Sequence, residues 1–278
     1  MNYLASRFGS NANSFRSATP LSDEQIRKIA PSVFADAPHE SRSARYTYIP
    51  TSDILAGLRK EGFEPFAVMQ ARSRIEGKSE YTKHMLRLRH AGTSFQAGQQ
   101  VNEIILLNSH DGTSSYQMMS GVFRVICANG LVSCVGVDND IRVPHKGDVA
   151  GQVIEGAYTV LDSFEEVDDR RQQMQGIKLS EAEKAVFARA ALPLRFDEGV
   201  APVTESDVLR LRRRDDNQND LWTTFNVVQE NLVRGGLRGR NANNKPMTTR
   251  EVTGLDANVK LNRSLWILAE EMRKLRGE

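Results

Sequence analysis

Residues 70–90 read QARSRIEGKSEYTKHMLRLRH, and this stretch decides how the first half of the chain is expected to fold. The glycine at position 77 predicts a turn between two extended segments. Six basic residues stand against two acidic ones, a local net charge of +4: Arg72, Arg74, Lys78, Lys83, Arg87 and Arg89 against Glu76 and Glu80. We therefore predict a basic β-hairpin at these positions.

The second segment of this hairpin has two different faces. Alternate residues of a strand point to the same side. One side would carry Tyr81, Lys83, Met85, Arg87 and Arg89, and the other Thr82, His84, Leu86, Leu88 and His90. We predict that the partly apolar side lies on a core and that the basic side is presented to a polyanion.

The flanking sequence predicts an antiparallel β-meander with short helices. Ser22 followed by Gln25 is a capping-box pattern that opens a helix through Ala30. Thr51 caps a second helix to Lys60, and Gly62 follows it at the position where helices commonly end. Strands are predicted at residues 45–49, 63–74, 81–90, 101–109, 115–128 and 131–137, the last five as the meander.

Beyond residue 148 the apolar residues recur with a helical period. Helices are predicted at residues 149–174, 180–192, 204–214, 221–233 and 256–275. The fold class is therefore α+β, with the meander and its basic hairpin followed by a mostly helical second half. We divide the chain into a flexible arm (1–20), an α+β module (21–146) and a helical module (147–278), and leave open whether the two modules pack as one unit.

Composition limits the classes of function. The chain has 278 residues and a formal net charge of +2, which is too mild to imply nucleic acid by itself. Its apolar runs are too short to cross a bilayer, and the N-terminus lacks a secretory signal pattern. Two cysteines, Cys127 and Cys134, cannot form a disulfide framework. We expect a cytoplasmic protein without a membrane partner.

A second basic segment is the Arg/Gly loop, residues 234–245. Arg234, Arg238, Arg240 and Lys245 alternate there with glycine and asparagine, and no acidic residue intervenes. Flexible Arg/Gly segments bind single-stranded nucleic acid. The alternative is a surface loop whose arginines pair with Asp215, Asp216 or Asp220. The nearby run Arg210, Arg212, Arg213 and Arg214 predicts a salt-bridged helix end.

Catalytic and metal-binding patterns are weak. The five histidines have no helical i,i+4 pair and no cysteine partner at zinc spacing. His110-Asp111 is interpreted as part of a turn, and Asp138-Asn139-Asp140 lacks the glycine and distal glutamate of a calcium loop. Phosphate-loop, dinucleotide-binding and nucleophile-elbow motifs are missing. We predict no catalytic residue, no metal and no cofactor.

Several segments resemble one family. They are Tyr46-x-x-Ile49-Pro50-Thr51, Gly62-Phe63, Tyr81-x-x-His84-Met85-x-Arg87-x-Arg89, Asn102-Glu103-x-x-Leu106-x-Asn108-Ser109-His110-Asp111-Gly112 and Phe123-Arg124-x-x-Cys127-x-Asn129-Gly130. This order of segments, over residues 40–175, is similar to uncharacterised proteins of prophages and conjugative plasmids typified by YfjQ and YafZ. The resemblance implies a mobile-element context. More loosely, the meander with its helix resembles the β-β-β-α core of phage single-strand annealing proteins, which implies rings or filaments of one chain.

These patterns lead to one main hypothesis and two rivals. The main one is a non-enzymatic protein that binds single-stranded DNA or RNA in recombination or DNA maintenance, with the two basic segments converging in one groove. Its contacts would be Arg72, Arg74, Tyr81, Lys83, Arg87, Arg89, Arg234, Arg238, Arg240 and Lys245. One rival is a module that inhibits or decoys a host protein through an apolar patch at Leu221, Trp222 and Phe225. The other is a metal-dependent nuclease using Asp111, Asp138 or Asp140 with His110.

Overall fold

A computed structural model describes residues 13–41, 48–73, 75, 77–91, 100–124, 141–145, 147–197 and 200–276. The described residues divide into two compact units, the first up to residue 164 and the second from residue 165. Among the described helices, none combines the length and apolar character needed to cross a membrane.

The first unit is built on a six-stranded sheet. Its elements are β1 (Asn13–Arg16), α1 (Asp23–Ile29), α2 (Thr51–Lys60), β2 (Phe63–Gln70), β3 (His84–His90), β4 (Gln100–Asn108), β5 (Tyr116–Arg124), β6 (Ile141–Val143) and α3 (Val149–Asp162), with 3-10 turns at Pro31–Phe34 and Ser79–Tyr81. Every pair of neighbouring strands is antiparallel, and the strands lie side by side in chain order. The predicted meander and the α+β class are confirmed.

Local sequence signals place the two short helices. At α1 the backbone N–H of Ser22 donates to Gln25 Oε1 at 2.9 Å, while Ser22 Oγ accepts from the backbone N–H of Gln25. This reciprocal pair satisfies two helix-end donors. Helix α2 begins at Thr51 and ends before Gly62, whose φ of +84° suits a residue without a side chain. The capping box of α1 and the end of α2 at Gly62 are confirmed, but Thr51 is the first residue of α2 instead of its cap: Pro50 stands at the cap position and forms no side-chain capping bond.

One face of the sheet carries the core of the first unit. Leu86 is opposite Leu106, and Leu88 is opposite Ile104, so all four side chains share this face. They are buried in one cluster with residues of α1, α2 and α3. Gly156 brings α3 close to β5, because a Cβ there would lie 2.2 Å from the terminal methyl of Met118.

The connection between β2 and β3 differs from the predicted hairpin. Strand β2 ends at Gln70 and β3 starts at His84, and the described residues between them, including Tyr81, are not in a strand. Side-chain bonds hold it: Gln70 Nε2 donates to Ser79 O at 2.7 Å, and Thr82 Oγ1 donates to Ala71 O at 3.0 Å. Parity along a single strand therefore does not extend to residues 81–83.

Two strands of the sheet, β1 and β6, were not predicted, and two predicted strands cannot be compared. Strand β1, within the predicted N-terminal arm, pairs with β2 from Asn13 opposite Gln70 to Arg16 opposite Ala67. Strand β6 was not predicted. The predicted strand 131–137 and most of the predicted strand 45–49 lie outside the described residues.

The second unit is mostly helical. Its elements are α4 (Phe164–Gly176), α5 (Glu181–Ala191), α6 (Glu205–Val208), α7 (Leu221–Arg234), β7 (Arg238–Arg240), β8 (Pro246–Thr248) and α8 (Leu255–Arg276), with 3-10 turns at Leu192–Leu194 and Arg214–Asp216. Helices α7 and α8 share an aromatic cluster in which the Trp222 ring lies 5.4 Å from Phe225 and 6.2 Å from Trp266. The helical second half is confirmed.

Three features of this half differ from the prediction: a helix break, a helix end and a strand within a predicted loop. The helix expected at residues 149–174 is interrupted at Ser163, and its first part, α3, packs on the sheet, so the units divide after residue 164 instead of 146. Helix α6 ends at Val208. There Asn231 Nδ2 donates hydrogen bonds to the carbonyl oxygens of Val208 and Arg210, at 2.8 and 2.9 Å, in place of helical partners. The Arg/Gly loop contains a strand, β7.

Candidate functional site

Arg87 and Arg89 are buried together around one carboxylate. They are 5% and 6% exposed, and Glu103, on the adjacent strand β4, is 0% exposed. Arg87 Nε donates to Glu103 Oε2 at 2.5 Å, and Arg89 Nε donates to Glu103 Oε1 at 2.8 Å. The Arg87 guanidinium also lies 3.0 Å from the ring centroid of Phe123. Both expected phosphate contacts therefore have internal partners.

The electrostatics of this cluster reflect its burial. Burial lowers the pKa of Arg87 to about 9, against the opposing effect of Glu103, which raises it. For Glu103, burial would raise the pKa, but the charges of Arg87 and Arg89 hold it below its usual value. A carboxylate that stays ionised in a buried site needs such partners. The cluster is an internal ion network.

The prediction that this face of β3 presents its arginines outward is wrong. Ile105 lies opposite Arg87 and is 0% exposed, and its neighbours Leu107 and Met119 on the same face are each 2% exposed. The alternation of charged and apolar residues correctly separates the two faces of a strand. It does not reveal whether the charged face is covered, because long guanidinium side chains can be buried once they are paired.

The remaining predicted contacts of the hairpin lie in the connection before β3. Tyr81 closes a 3-10 turn, and its ring packs edge-on against His39 with centroids 5.3 Å apart. Arg72 is exposed and Lys83 is half-buried. Arg74 lies outside the described residues. These positions are not aligned along one strand face, so their role in binding stays a prediction.

The most connected polar cluster in the first unit centres on Thr51. Its Oγ1 contacts four polar groups, each from a different segment: Asn108 Nδ2 at 3.0 Å, His84 Nε2 at 3.0 Å, His110 Nε2 at 3.1 Å and the Tyr116 hydroxyl at 3.3 Å. All five residues are 1% exposed or less. A hydroxyl donates one hydrogen bond and accepts at most two, so one of these contacts is not a hydrogen bond.

The bonding partners assign the hydrogen of His84. Ser32 Oγ donates to Gln70 Oε1 at 2.7 Å, so it accepts from His84 Nδ1 at 2.9 Å. His84 is held neutral, because burial first and His110 second lower its pKa to about 3. Its Nε2 therefore has a lone pair, which accepts the hydrogen of the Thr51 hydroxyl.

The same reasoning assigns His110. Asn108 Nδ2 donates a hydrogen bond to one lone pair of Thr51 Oγ1. The Tyr116 hydroxyl donates its hydrogen to Ile49 O at 3.2 Å, so it does not donate to Thr51. His110 Nε2 therefore carries the hydrogen and donates the remaining bond to Thr51. Its Nδ1 is a buried acceptor without a hydrogen-bond partner among the described residues. Burial lowers the pKa of His110 to about 4, with His145 acting in the same direction.

This Thr51 cluster was missed by the sequence analysis, which interpreted the histidines as scattered. Three of its residues, His84, Asn108 and Tyr116, lie at the same end of three adjacent strands, which strand boundaries could have indicated. A hydroxyl that donates to an imidazole is the arrangement of an activated nucleophile. Thr51 is nevertheless 0% exposed, so in this conformation the cluster joins α2 to the sheet.

The second unit contains a cavity that unites two of the basic segments. It has a volume of about 390 Å³ and is lined by Asp207, Arg210, Gly236, Leu237 and Arg238. Arg210 and Arg238 are exposed, and within the described part of the chain no ion pair or hydrogen bond engages either guanidinium group. The cavity thus offers two arginines to a ligand.

Neighbouring arginines of the same unit are engaged internally. Arg212 Nε donates to Asn231 Oδ1 at 2.6 Å, Arg213 pairs with Glu230 and Asp216, and Arg234 Nη1 donates to Glu230 Oε1 at 2.8 Å. The arginine run was predicted to be a salt-bridged helix end; Arg213 does pair with Asp216, but α6 already ends at Val208 and Arg210 has no ion pair among the described residues. Arg234, expected to contact nucleic acid, is 40% exposed and shares Glu230.

The Arg/Gly loop forms a two-stranded ribbon together with residues 246–248. In this ribbon Arg238 lies opposite Thr248 and Arg240 opposite Pro246. Arg240 Nη1 donates to the carbonyl oxygen of Asn244 at 2.8 Å, and Lys245 is exposed in the connecting turn. Arg238, Arg240 and Lys245 therefore remain on the surface, as the sequence predicts.

The residues of the two rival hypotheses are mostly engaged inside the protein. Leu221, Trp222 and Phe225 are at most 2% exposed, so the expected apolar patch at these positions is wrong: this side of α7 faces α8. Asp111 is 6% exposed, accepts from Thr113 Oγ1 at 2.6 Å and pairs with Lys78. Asp138 and Asp140 lie outside the described residues, within which no group of three acidic, histidine or cysteine side chains could hold a metal.

Comparison with known proteins places the chain in a family. Residues 38–266 match the family described as "Domain of unknown function (DUF932)". The chain is 54% identical over 272 residues to the UPF0380 proteins YafZ and YfjQ of Escherichia coli (strain K12), covering 98% of this chain and 98% of each relative. No solved structure matches, so the analogy with annealing proteins stays a prediction. The chain belongs to the DUF932 family.

Proposed function

We propose that this protein binds single-stranded nucleic acid, primarily DNA. The binding surface is the cavity lined by Arg210 and Arg238 together with the β7–β8 ribbon of the second unit. The observation that carries the proposal is the pair Arg210 and Arg238, 28 positions apart in sequence, which line one cavity and have no ion-pair partner among the residues that the structure describes. Guanidinium groups suit phosphate because their donors form a planar fork that matches two phosphate oxygens.

The ribbon extends this basic surface. Arg238 and Arg240 are alternate residues of β7, a separation of about 6.6–7 Å along a strand. This separation is comparable with the distance between successive phosphates of an extended single strand. Lys245 and the exposed asparagines of the turn add further donors to the same element. The contacts of the ribbon are to the backbone alone, and such contacts depend little on sequence.

The contrast with the first unit supports the choice of site. Arg87 and Arg89 are already paired with Glu103, whereas Arg210 and Arg238 have no such pair within the described ranges of the chain. Tyr81, Lys83 and Arg72 are proposed as secondary contacts. In a phage, prophage or plasmid, such binding would serve recombination or strand annealing without an enzymatic step, with several copies of the chain on one strand.

The proposal is tested by fluorescence anisotropy of a labelled 20-nucleotide single strand at 50 and 200 mM NaCl. Four phosphate contacts, by Arg210, Arg238, Arg240 and Lys245, correspond to a slope of about −2.8 in log K against log salt. The affinity should therefore fall about 50-fold between the two salt concentrations. The double substitution R210Q/R238Q should reduce the slope to about −1.4.

The matched control is Arg276→Gln, which changes an arginine of the same unit that is paired with Glu183 at 3.1 Å. This variant should bind like the unchanged protein. Unlabelled DNA and RNA competitors of the same sequence establish which nucleic acid is preferred. Absence of binding at 50 mM NaCl, or equal losses in the double variant and the control, would refute the proposal.

A further inference from the structure

The cavity lined by Arg210 and Arg238 also contains the carboxylate of Asp207, which closes the capping box of α6 with one of its two oxygens. A site that bound only phosphate would gain nothing from a nearby anion, because like charges repel. Within the described part of the chain, no ion pair joins Asp207 to either arginine. Asp207 therefore offers an acceptor at a site that otherwise offers donors.

The hydrogen bonds of Asp207 show which oxygen is available. Oδ2 accepts from the backbone N–H of Thr204 and from Thr204 Oγ1, both at 2.8 Å. These two bonds use both lone pairs of Oδ2 and fix the orientation of the carboxylate. No hydrogen bond to Oδ1 occurs among the described residues. Oδ1 therefore keeps two lone pairs for donors of a ligand.

Extending the proposed function, on which this step rests, we infer that the cavity binds one nucleotide of the strand and selects guanine. The phosphate contacts Arg210 and Arg238, and the base directs its Watson–Crick edge at Asp207 Oδ1. The volume of about 390 Å³ lies within the range of about 300–1,000 Å³ typical of small-molecule sites. Leu237, which is 8% exposed, contributes an apolar wall.

Guanine follows from the positions of its donors. Its Watson–Crick edge carries two adjacent N–H donors, N1–H and the amino group, which can converge on a single acceptor oxygen. Adenine and cytosine place a ring nitrogen lone pair beside their amino group, and that lone pair would face the lone pairs of Oδ1. Thymine and uracil flank their single N–H with carbonyl oxygens. A carboxylate therefore favours guanine and repels the other edges.

The experiment measures displacement of a labelled strand from the full chain by GMP, AMP, CMP and UMP. GMP should compete about tenfold better than the other three, near the lower end of the discrimination given by one good base contact. The substitution Asp207→Asn removes the charge and should abolish this preference while leaving AMP competition unchanged or stronger. Since Asp207 also bonds to Thr204, a thermal melt checks that the variant is folded.

The outcomes separate the two proposals. If the strand binds and all four nucleotides compete equally, or none competes, the guanine inference is overturned while nucleic-acid binding stands. If no strand binds at low salt, both fail. A preference for GMP that persists in a folded Asp207→Asn protein would also overturn the assignment, because the selectivity would then come from another group.

Discussion

Arg87 Nε donates to Glu103 Oε2 at 2.5 Å between neighbouring strands, and the second oxygen of the same carboxylate accepts from Arg89. One buried acid thus holds two buried arginines. Breaking a buried ion pair by removing one partner costs far more than losing a surface pair, because the other charge stays buried and unpaired.

Glu103→Gln should therefore lower the free energy of unfolding by about 3–5 kcal/mol. The matched control is Glu271→Gln, which changes a glutamate that is 61% exposed and pairs with Lys274 on the surface of α8. Such pairs contribute little. Urea denaturation of both variants measures the difference. Equal stabilities of the two variants would show that the buried network does not stabilise the sheet.

The Thr51 hydroxyl should be required, and its methyl group much less so. Thr51→Val leaves His84 Nε2, His110 Nε2 and Asn108 Nδ2 without their common partner, and we expect a loss of about 2–4 kcal/mol in the free energy of unfolding. Thr51→Ser keeps the hydroxyl and should cost about 1 kcal/mol for the lost methyl group. Chemical denaturation at pH 7.5 compares them; a valine variant as stable as the serine variant contradicts the assigned network.

Stability should fall as the pH drops below about 6.5. The pKa of His84 is lowered from 6.5 to about 3 in the folded protein, so between these values the unfolded chain binds a proton that the folded chain does not. The stabilisation is complete above pH 6.5 and is lost progressively toward the folded pKa. At pH 5 the loss from His84 alone is about 2 kcal/mol.

His110 adds to this loss, since its pKa is also lowered, to about 4. Glu103 titrates at lower pH, because its pKa is held below the usual glutamate value of 4.5, and so it does not account for a change between pH 7 and 5. Denaturation curves at pH 7.5, 6.0 and 5.0 measure the slope. His84→Gln should flatten it, and an unchanged slope in that variant would contradict the role given to His84.

Gly239 should be needed to keep the ribbon in place. A Cβ there would lie 1.8 Å from the carbonyl oxygen of Pro202, the same oxygen that accepts from the backbone N–H of Arg240 at 2.9 Å. Gly239→Ala should displace the ribbon and increase trypsin cleavage after Arg238 and Arg240, detected by mass spectrometry. The control Gly176→Ala adds a Cβ with nothing within 4 Å. Identical cleavage in both variants would exclude this role.

Local sequence signals predicted the elements that depend only on neighbouring residues. The capping box at Ser22, the similar box at Ser180 and the glycine after α2 each act within a few residues, and each is present. The alternation of Leu86 and Leu88 with charged residues likewise assigned the core face of β3. The residues on which the family resemblance rests include Thr51, His84, Asn108 and His110, but nothing in their spacing indicated that they meet.

What the sequence determined by itself was therefore the order of the four central strands β2 to β5, the helical character of the second half, the side of β3 that faces the core, and the exposure of the Arg/Gly segment. The tertiary structure decided which charges are satisfied. In sequence, Arg87 and Arg89 were predicted to be available for phosphate and Arg210 to be salt-bridged, whereas among the described residues the first two are paired with Glu103 and Arg210 has no ion pair. Only the fold determines which of them reaches a carboxylate, because such pairing depends on atoms a few ångströms apart that are contributed by distant positions in the chain.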